Sequence, residues 1–333
     1  MYIRRLIFAG FILSCQGFLI PRMSLQEFNN FKEIYNKNYL NPKKEFESYL
    51  NFKDNYNLIK SKNNKKSSYK LSVNQFSDQS MDFIFRKILS HDFSKMNLKQ
   101  NIPMLTLGHQ EKKNTQKLDW YEAGLVRPVK NQGACGSCWA FSTTGALETM
   151  VHANTGIPVE LSEQELVSCS KKNFGCEGGW MHTAMEYVQQ QNGLYTSVDY
   201  PYNATKGTCN LDIPKEKRII ESGNFEYVWI KPKSVSSMKK GLFINPVCIA
   251  VKADFDFVFY KDGIFDTEVE EEPAVNHAVL LTALDENKKT WTIKNSWGTS
   301  WGKNGFMDLT IQNGTGTAGM NSYGIIPLYQ PKK

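Results

Sequence analysis

The chain has 333 residues, of which 41% are hydrophobic and 22% charged, with a net charge of +7. That length holds one large domain or two ordinary ones, and the apolar content supports a substantial core and excludes general disorder. Residues 18–113 carry 17 Lys and Arg against 9 Asp and Glu, and residues 114–333 carry 21 against 24. The basic excess therefore points to a partner within the chain itself and away from nucleic acid.

Residues 1–17 read as a secretory signal. Arg4 and Arg5 form its charged start and Leu6–Leu13 its apolar stretch, with small residues Cys15 and Gly17 before the expected cut. No later run approaches the ~18 apolar residues of a membrane span, so no membrane anchor is expected.

Residues 18–113 predict two amphipathic helices with little apolar surface. Phe28, Phe31, Ile34 and Tyr35 recur at helical spacing, as do Phe46, Tyr49, Leu50, Lys53, Tyr56 and Ile59 after Pro42. The polar Lys60–Lys70 stretch ends the second helix, and Tyr69–Val73 reads as a short strand. Ser90–Gln116 has no strong periodicity and predicts an exposed, extended linker open to proteolysis.

From Leu118 the texture changes, as Gly and Trp become frequent and cysteines begin. Cys138–Ala153 predicts a helix closed by Asn154-Thr155-Gly156. Ser162 and Glu165 form a capping box ahead of a second helix, and Met181–Gln191 is a third. Strands are expected at Val247–Val251, Val279–Ala283, Trp291–Asn295 and Phe306–Ile311. Helices first and strands second argue α+β, with two lobes and a cleft between them.

Cys135-Gly136-Ser137-Cys138-Trp139-Ala140-Phe141 is the most informative stretch. A thiol at a helix N-terminus meets unpaired N–H donors and about half a positive charge, which favours thiolate. The competing readings are a structural or zinc-binding Cys-x-x-Cys pair and a redox pair. A thiolate nucleophile also needs a base and an orienting group behind it. His277 enters a strand in Val275-Asn276-His277-Ala278-Val279, and Asn295 ends one in Lys294-Asn295-Ser296-Trp297-Gly298. Six cysteines remain without the leader: Cys135, Cys138, Cys169, Cys176, Cys209 and Cys248. Three bridges are possible. So are two bridges with one reactive and one buried thiol. Asn203-Ala204-Thr205 and Asn313-Gly314-Thr315 are glycosylation sequons that suit a secretory route.

On these residues the chain resembles the papain-family cysteine proteases, most of all the cathepsin L-like group. The resemblance implies a two-lobed fold, one lobe helical and one β-barrel-like, with domains at 114–333 (peptidase) and 18–113 (inhibitory pro-segment). It implies Cys138 as nucleophile, His277 as general acid and base, and Asn295 as the residue holding the imidazole. Trp297 would shield that hydrogen bond, and Gln132 would donate to the oxyanion beside the Cys138 backbone N–H. Gly178 and Gly179 would form the ledge that pairs with extended substrate. Met181, Ala250, Ala278 and Pro327 or Leu328 would line an apolar pocket for the second residue before the scissile bond (P2). Bridges Cys135–Cys176 and Cys169–Cys209 are implied, with Cys248 a buried spectator and no cysteine at either end of the family's usual third bridge, where Tyr323 stands.

In the pro-segment, Phe52, Asn55, Ile59 and Asn63 match half of the inhibitory helix motif, but Lys44 and Ser48 replace its acid and base. Asn74-x-Phe76-x-Asp78 matches the strand motif that follows. The pro-segment carries no cysteine and no histidine lies between His182 and His277, so both exopeptidase devices of the family are missing from the sequence and an open-cleft endopeptidase is expected. The resemblance implies protein and peptide substrates, cystatin-type inhibitors, a monomer, no metal or cofactor, and a lysosomal or extracellular destination. The alternative is a non-catalytic binding or inhibitory protein on the same fold, against which Gln132, Cys138, His277 and Asn295 all stand.

The thiolate's requirement can be sized. A thiol of pKa ~8.5 is under ~0.1% ionised at pH 5. Pairing with an imidazolium lowers it by ~5 units, roughly 7 kcal/mol, of which a helix terminus supplies about 1. The base is as necessary as the nucleophile. The opposite charges of the two segments further suggest that acid loosens the pro-segment as carboxylates titrate.

Overall fold

A computed structural model describes residues 22–89, 103–105, 116–220 and 225–331. The leader and most of the linker lie outside the described residues.

Aromatic spacing builds the first unit. α1 (Arg22–Ile34) and α2 (Pro42–Asn63) pack through Phe28, Phe31, Tyr49 and Phe52, with Phe31 and Phe52 ring centroids 5.0 Å apart. Pro42 sits in the first turn of α2, where its missing N–H costs nothing, and Asn41 Oδ1 caps Lys44 N at 2.9 Å. Buried Asp78 receives Lys37 Nζ at 3.0 Å and Tyr39 Oη at 2.9 Å, both from the α1–α2 connection.

β1 (Tyr69–Leu71) carries this unit onto the rest of the chain by pairing antiparallel with β5 (Tyr260–Phe265). Gly263 allows the approach, since a Cβ there would lie 2.3 Å from Ser68 O. α3 (Met81–Lys87), capped by Ser80, follows.

The larger unit places its helices first: α4 (Cys138–Thr155), α5 (Glu163–Cys169) and α6 (Met181–Gln190). After β2 (Lys117–Asp119), the strands are β3 (Phe225–Trp229), β4 (Val247–Val251), β5, β6 (His277–Asp285), β7 (Thr290–Lys294), β8 (Phe306–Thr310) and β9 (Gly324–Tyr329), with α7 (Val235–Ile244) and α8 (Phe255–Val258) between them. The sheet runs β1-β5-β8-β7-β6-β4-β9-β3, with β2 added on β6. Its end strands β1 and β3 do not pair, so the sheet is open where a barrel-like lobe was expected. The N-terminal unit's own strand takes one edge.

β4 and β6 read as continuous apolar runs because they serve two cores. Ile249, Val251, Val279 and Leu281 face one cluster, while Cys248, Ala250, Ala278 and Leu280 face the other, with α4. α4 approaches so closely that a Cβ on Gly145 would meet Leu280 Cδ2 at 2.9 Å.

The capping box at α5 is half made. Ser162 Oγ accepts from Glu165 N at 3.0 Å, but Ser162 N donates to Tyr195 O. The Glu165 carboxylate is buried, paired with Arg218 at 2.7 Å, and accepts from Tyr187 Oη and Tyr195 N. Arg218 in turn lies 4.2 Å from the Tyr195 ring centroid. Glu165→Gln leaves a buried guanidinium uncompensated and is expected to cost about 3–5 kcal/mol, read as a lower urea midpoint. An unchanged midpoint would show that the pair is not holding α5 in place. Among the described residues no helix is long and apolar enough to cross a membrane.

Candidate active site

α4 begins at Cys138, and the chain is brought to that point by a disulfide. Cys135–Cys176 is closed, and Gly136 N donates to Cys176 O at 2.8 Å. A Cβ on Gly136 would lie 2.6 Å from that oxygen, so glycine is required. Cys169–Cys209 is the second bridge, and Cys138 and Cys248 are free thiols. Where a third bridge is usual, Tyr323 is buried edge-on against Trp229 at 4.8 Å, its hydroxyl 3.3 Å from His182 N.

Cys138 Sγ accepts from Ala278 N at 3.3 Å, which sets the thiol beside His277, the first residue of β6. His277 Nε2 is 2.8 Å from Asn295 Oδ1. Ser296 N donates to that same oxygen at 2.8 Å, which fixes it as the acceptor, so Nε2 carries the proton. His277 Nδ1 is buried and makes no hydrogen bond. Trp297 stacks on the imidazole at 4.5 Å and is itself buried. Burial pushes the His277 imidazole down to about 4, opposed by the Asn295 hydrogen bond.

Gln132 is fully buried. Its Oε1 accepts from Ser296 Oγ at 2.7 Å, which orients the amide, and Nε2 donates to Cys135 O and to Ile88 O, each at 2.7 Å. Ile88 belongs to the N-terminal unit. Its carbonyl therefore holds the N–H that the sequence reading assigned to an oxyanion. Leu89 O lies 3.0 Å from where a Gly136 Cβ would be.

Gly178 has φ +118°, and Gly179 abuts Trp139 and Asn173, leaving no room for a Cβ. Met181, Ala250 and Ala278 are buried in one apolar cluster with Ile325. Pro327 is buried in β9, but Leu328 packs against the other core. Cys248 is buried with Sγ 3.1 Å from Ser142 O, and burial pushes its thiol up to about 12, which makes it unreactive. Asn203 and Asn313 are both exposed.

The sequence reading missed how the N-terminal unit seals this region. Phe76 packs edge-on against Trp297 at 5.2 Å, and Gln75 Nε2 donates to Trp297 O at 2.6 Å. Asn74 Nδ2 donates to Val258 O at 2.7 Å. Among the described residues one ion pair crosses between the units, Lys62–Asp256 at 2.8 Å, and Tyr69 Oη donates to the same carboxylate. Net charge could not locate these contacts, because most of them are neutral. Farther on, Met104 forms a parallel bridge with Trp229, so the linker also touches the β3 edge.

The model of the papain family of cysteine proteases matches residues 114–328, and that of the cathepsin propeptide inhibitor domain matches residues 28–82. A thiol protease aleurain-like protein of Arabidopsis thaliana is 36% identical over 310 residues, covering 90% of this chain and 84% of its own. A cathepsin L-like peptidase of Aedes aegypti is 31% identical over 341 residues, covering 96% and 99%. Among solved structures, a recombinant stem bromelain precursor superposes with a TM-score of 0.82 at 30% identity, covering 93% of this chain and all of that one.

Proposed function

The chain belongs to the papain family of cysteine proteases, a cysteine endopeptidase carrying its own inhibitory propeptide, and on that premise we propose that Cys138, His277 and Asn295 perform the hydrolysis. The observation that carries this is the meeting of three elements at one point. α4 supplies a thiol, β6 the imidazole beside it, and the residue after β7 the amide that accepts from Nε2–H.

The chemistry follows from that placement. The Cys138 proton passes to His277 Nδ1, and the imidazolium keeps both N–H groups satisfied, one by the thiolate and one by Asn295. The thiolate adds to the scissile carbonyl carbon, and its oxygen takes charge facing Gln132 Nε2–H and Cys138 N–H. Collapse expels the amine, which takes the proton from His277, and leaves a thioester. Water then attacks with His277 as base, releasing the acid and restoring the thiol. Trp297 keeps solvent from the imidazole–amide bond. Gly178 and Gly179 would pair with the substrate backbone, and Met181, Ala250 and Ala278 would receive an apolar P2 side chain.

We place the domain boundaries at 1–17, 18–113 and 114–333, and read the protein as a monomer of the secretory pathway, lysosomal or extracellular, glycosylated at Asn203 and Asn313 and open to cystatin-type inhibitors once matured.

Ile88 O on Gln132 keeps the enzyme closed, and the sign of acid activation follows from His277. Its imidazole is held near 4 in the closed state against an ordinary value near 6.5, so the closed state binds fewer protons in that window. Falling pH from about 6.5 to 4 therefore favours opening, by at most about tenfold per pH unit for this one proton. His182, also pushed by burial to about 4, has the same sign for stability: its contribution to folding is lost as pH falls through that window. Among the described residues one ion pair crosses, part-exposed and worth about 0–1 kcal/mol, which favours a weak salt effect over the charge-repulsion expectation. The test is to hold the zymogen at pH 7, 6, 5 and 4, with and without added salt, and follow hydrolysis of a Leu-containing fluorogenic peptide. Latency at pH 7, self-processing that accelerates through the window, a cut between Lys112 and Leu118 and a weak salt effect are expected. A rate independent of pH would contradict this reading.

A further inference from the structure

The two oxyanion donors of the proposed site stand six residues apart, one on a loop and the other at the start of the helix that follows it. Gln132 lies on a loop whose backbone N–H is tied to Ser296 O at 2.8 Å. The Cys138 N–H belongs to the first turn of α4, one residue after Ser137. An oxyanion hole works only if its donors are held within about half an ångström of the productive separation. Besides the Gln132 Nε2–Cys135 O bond, the Tyr202 side chain ties them together. Tyr202 Oη donates to Gln132 O at 2.8 Å and lies 2.6 Å from Ser137 Oγ. A phenol has one hydrogen. Giving it to the carbonyl leaves an oxygen lone pair for the Ser137 hydroxyl to donate into. The ring is fixed in turn, edge-on to Phe141 of α4 at 4.9 Å, and the next residue's N–H is held by Gln164 Oε1 at 2.9 Å.

We propose that Tyr202 is a positioning residue for the oxyanion hole, its hydroxyl setting the separation between the Gln132 loop and the start of α4. It acts through the two residues it joins. This rests on the assignment of Gln132 and Cys138 above.

The test uses the matured enzyme. Tyr202→Phe keeps the ring and its packing on Phe141 and removes the bridging oxygen. Loss of a complete oxyanion donor costs about 10²–10³ in kcat, so loosening one is expected to lower kcat about tenfold with KM nearly unchanged. A peptide aldehyde serves as the probe. The Cys138 sulfur adds to its carbonyl carbon, the carbonyl π bond breaks, and the resulting oxygen occupies the same hole while the thiol proton is retained in the adduct. Its affinity is expected to fall by the same factor as kcat/KM, whereas a non-reactive peptide amide of the same sequence should bind as before. Ser137→Ala, which cuts one arm and leaves the Tyr202–Gln132 bond, is expected to give the same pattern at about two- to fourfold, and it decides the matter if Tyr202→Phe does not fold.

Tyr202→Phe matching the parent in kcat and in aldehyde affinity would overturn the proposal. So would equal losses for aldehyde and amide together with a lowered melting temperature, since that is the signature of a role in folding alone. A parent enzyme that cannot be titrated at Cys138 would instead bring down the assignment of the site, a failure distinguishable from these.

Discussion

Replacing Cys138 by alanine is expected to lower peptide hydrolysis by about 10⁴-fold or more while leaving the folded zymogen intact. The loss is large because the residue supplies the bond-forming atom, and nucleophile and base act as a unit, so removing either removes most of the effect. The fold should tolerate the change. Sγ accepts a hydrogen bond from Ala278 N at 3.3 Å, and the cost of leaving that donor unpaired is about 1–3 kcal/mol. His277→Ala is expected to lose a comparable amount, since the helix terminus alone supplies only about 1 of the roughly 7 kcal/mol needed to hold a thiolate in acid. Asn295→Ala should lose less, because the imidazole keeps its place under Trp297 at 4.5 Å. The check is kcat/KM on the matured variants beside the urea midpoint of each zymogen. Activity surviving in the Cys138 variant would remove it from the chemistry.

Substrates with Leu or Phe at P2 are expected to exceed those with Arg by at least about 100-fold in kcat/KM. Met181, Ala250 and Ala278 share an apolar cluster with Ile325, and none of these side chains offers a carboxylate to a guanidinium. Burying an unpaired charge costs several kcal/mol, whereas an apolar side chain gains about 1–3 kcal/mol. With Leu328 packed against the opposite core, Ile325 and Pro327 are the residues we propose for the floor of that pocket. A peptide series differing only at P2 decides this, and equal rates for Leu and Arg would show that a charged group reaches the pocket.

The helices at Cys138 and Met181 and the strands at Val247, His277 and Trp291 were legible because each carries a strong local signal: a cap, an apolar run or a helical period. Other elements were silent for physical reasons. β9 contains Pro327, which reads against a strand, yet it pairs with β3 on one side and with β4 only near Gly324 and Ile325, so its missing donor is tolerated. α7 begins in Val-Ser-Ser and includes Gly241, a weak helical pattern that is stabilised by packing Met238 and Leu242 into the core. Glu165 looked like a capping residue because local sequence shows the cap and not Arg218, 53 residues away in the chain. The site was read by resemblance more than by physics. Cys, His and Asn are far apart in sequence, and only the pairing of β4, β6 and β7 brings two of them to α4. The seal by Ile88 and the bridge by Tyr202 left no sequence signal, because each depends on tertiary contact with Gln132.

The most direct measurement is covalent labelling of the matured enzyme with a peptidyl epoxide, followed by mass spectrometry of its cysteine peptides. Both free thiols are buried in the closed zymogen, but Cys138 lies beside His277 where the propeptide departs, and Cys248 sits inside one core, packed with Ala250 and Leu280, with its thiol pushed up to about 12. One adduct per chain, on Cys138, with activity lost in proportion, is the expected result. An adduct on Cys248, or full loss of activity with Cys138 unmodified, would contradict the assignment of Cys138 as the nucleophile.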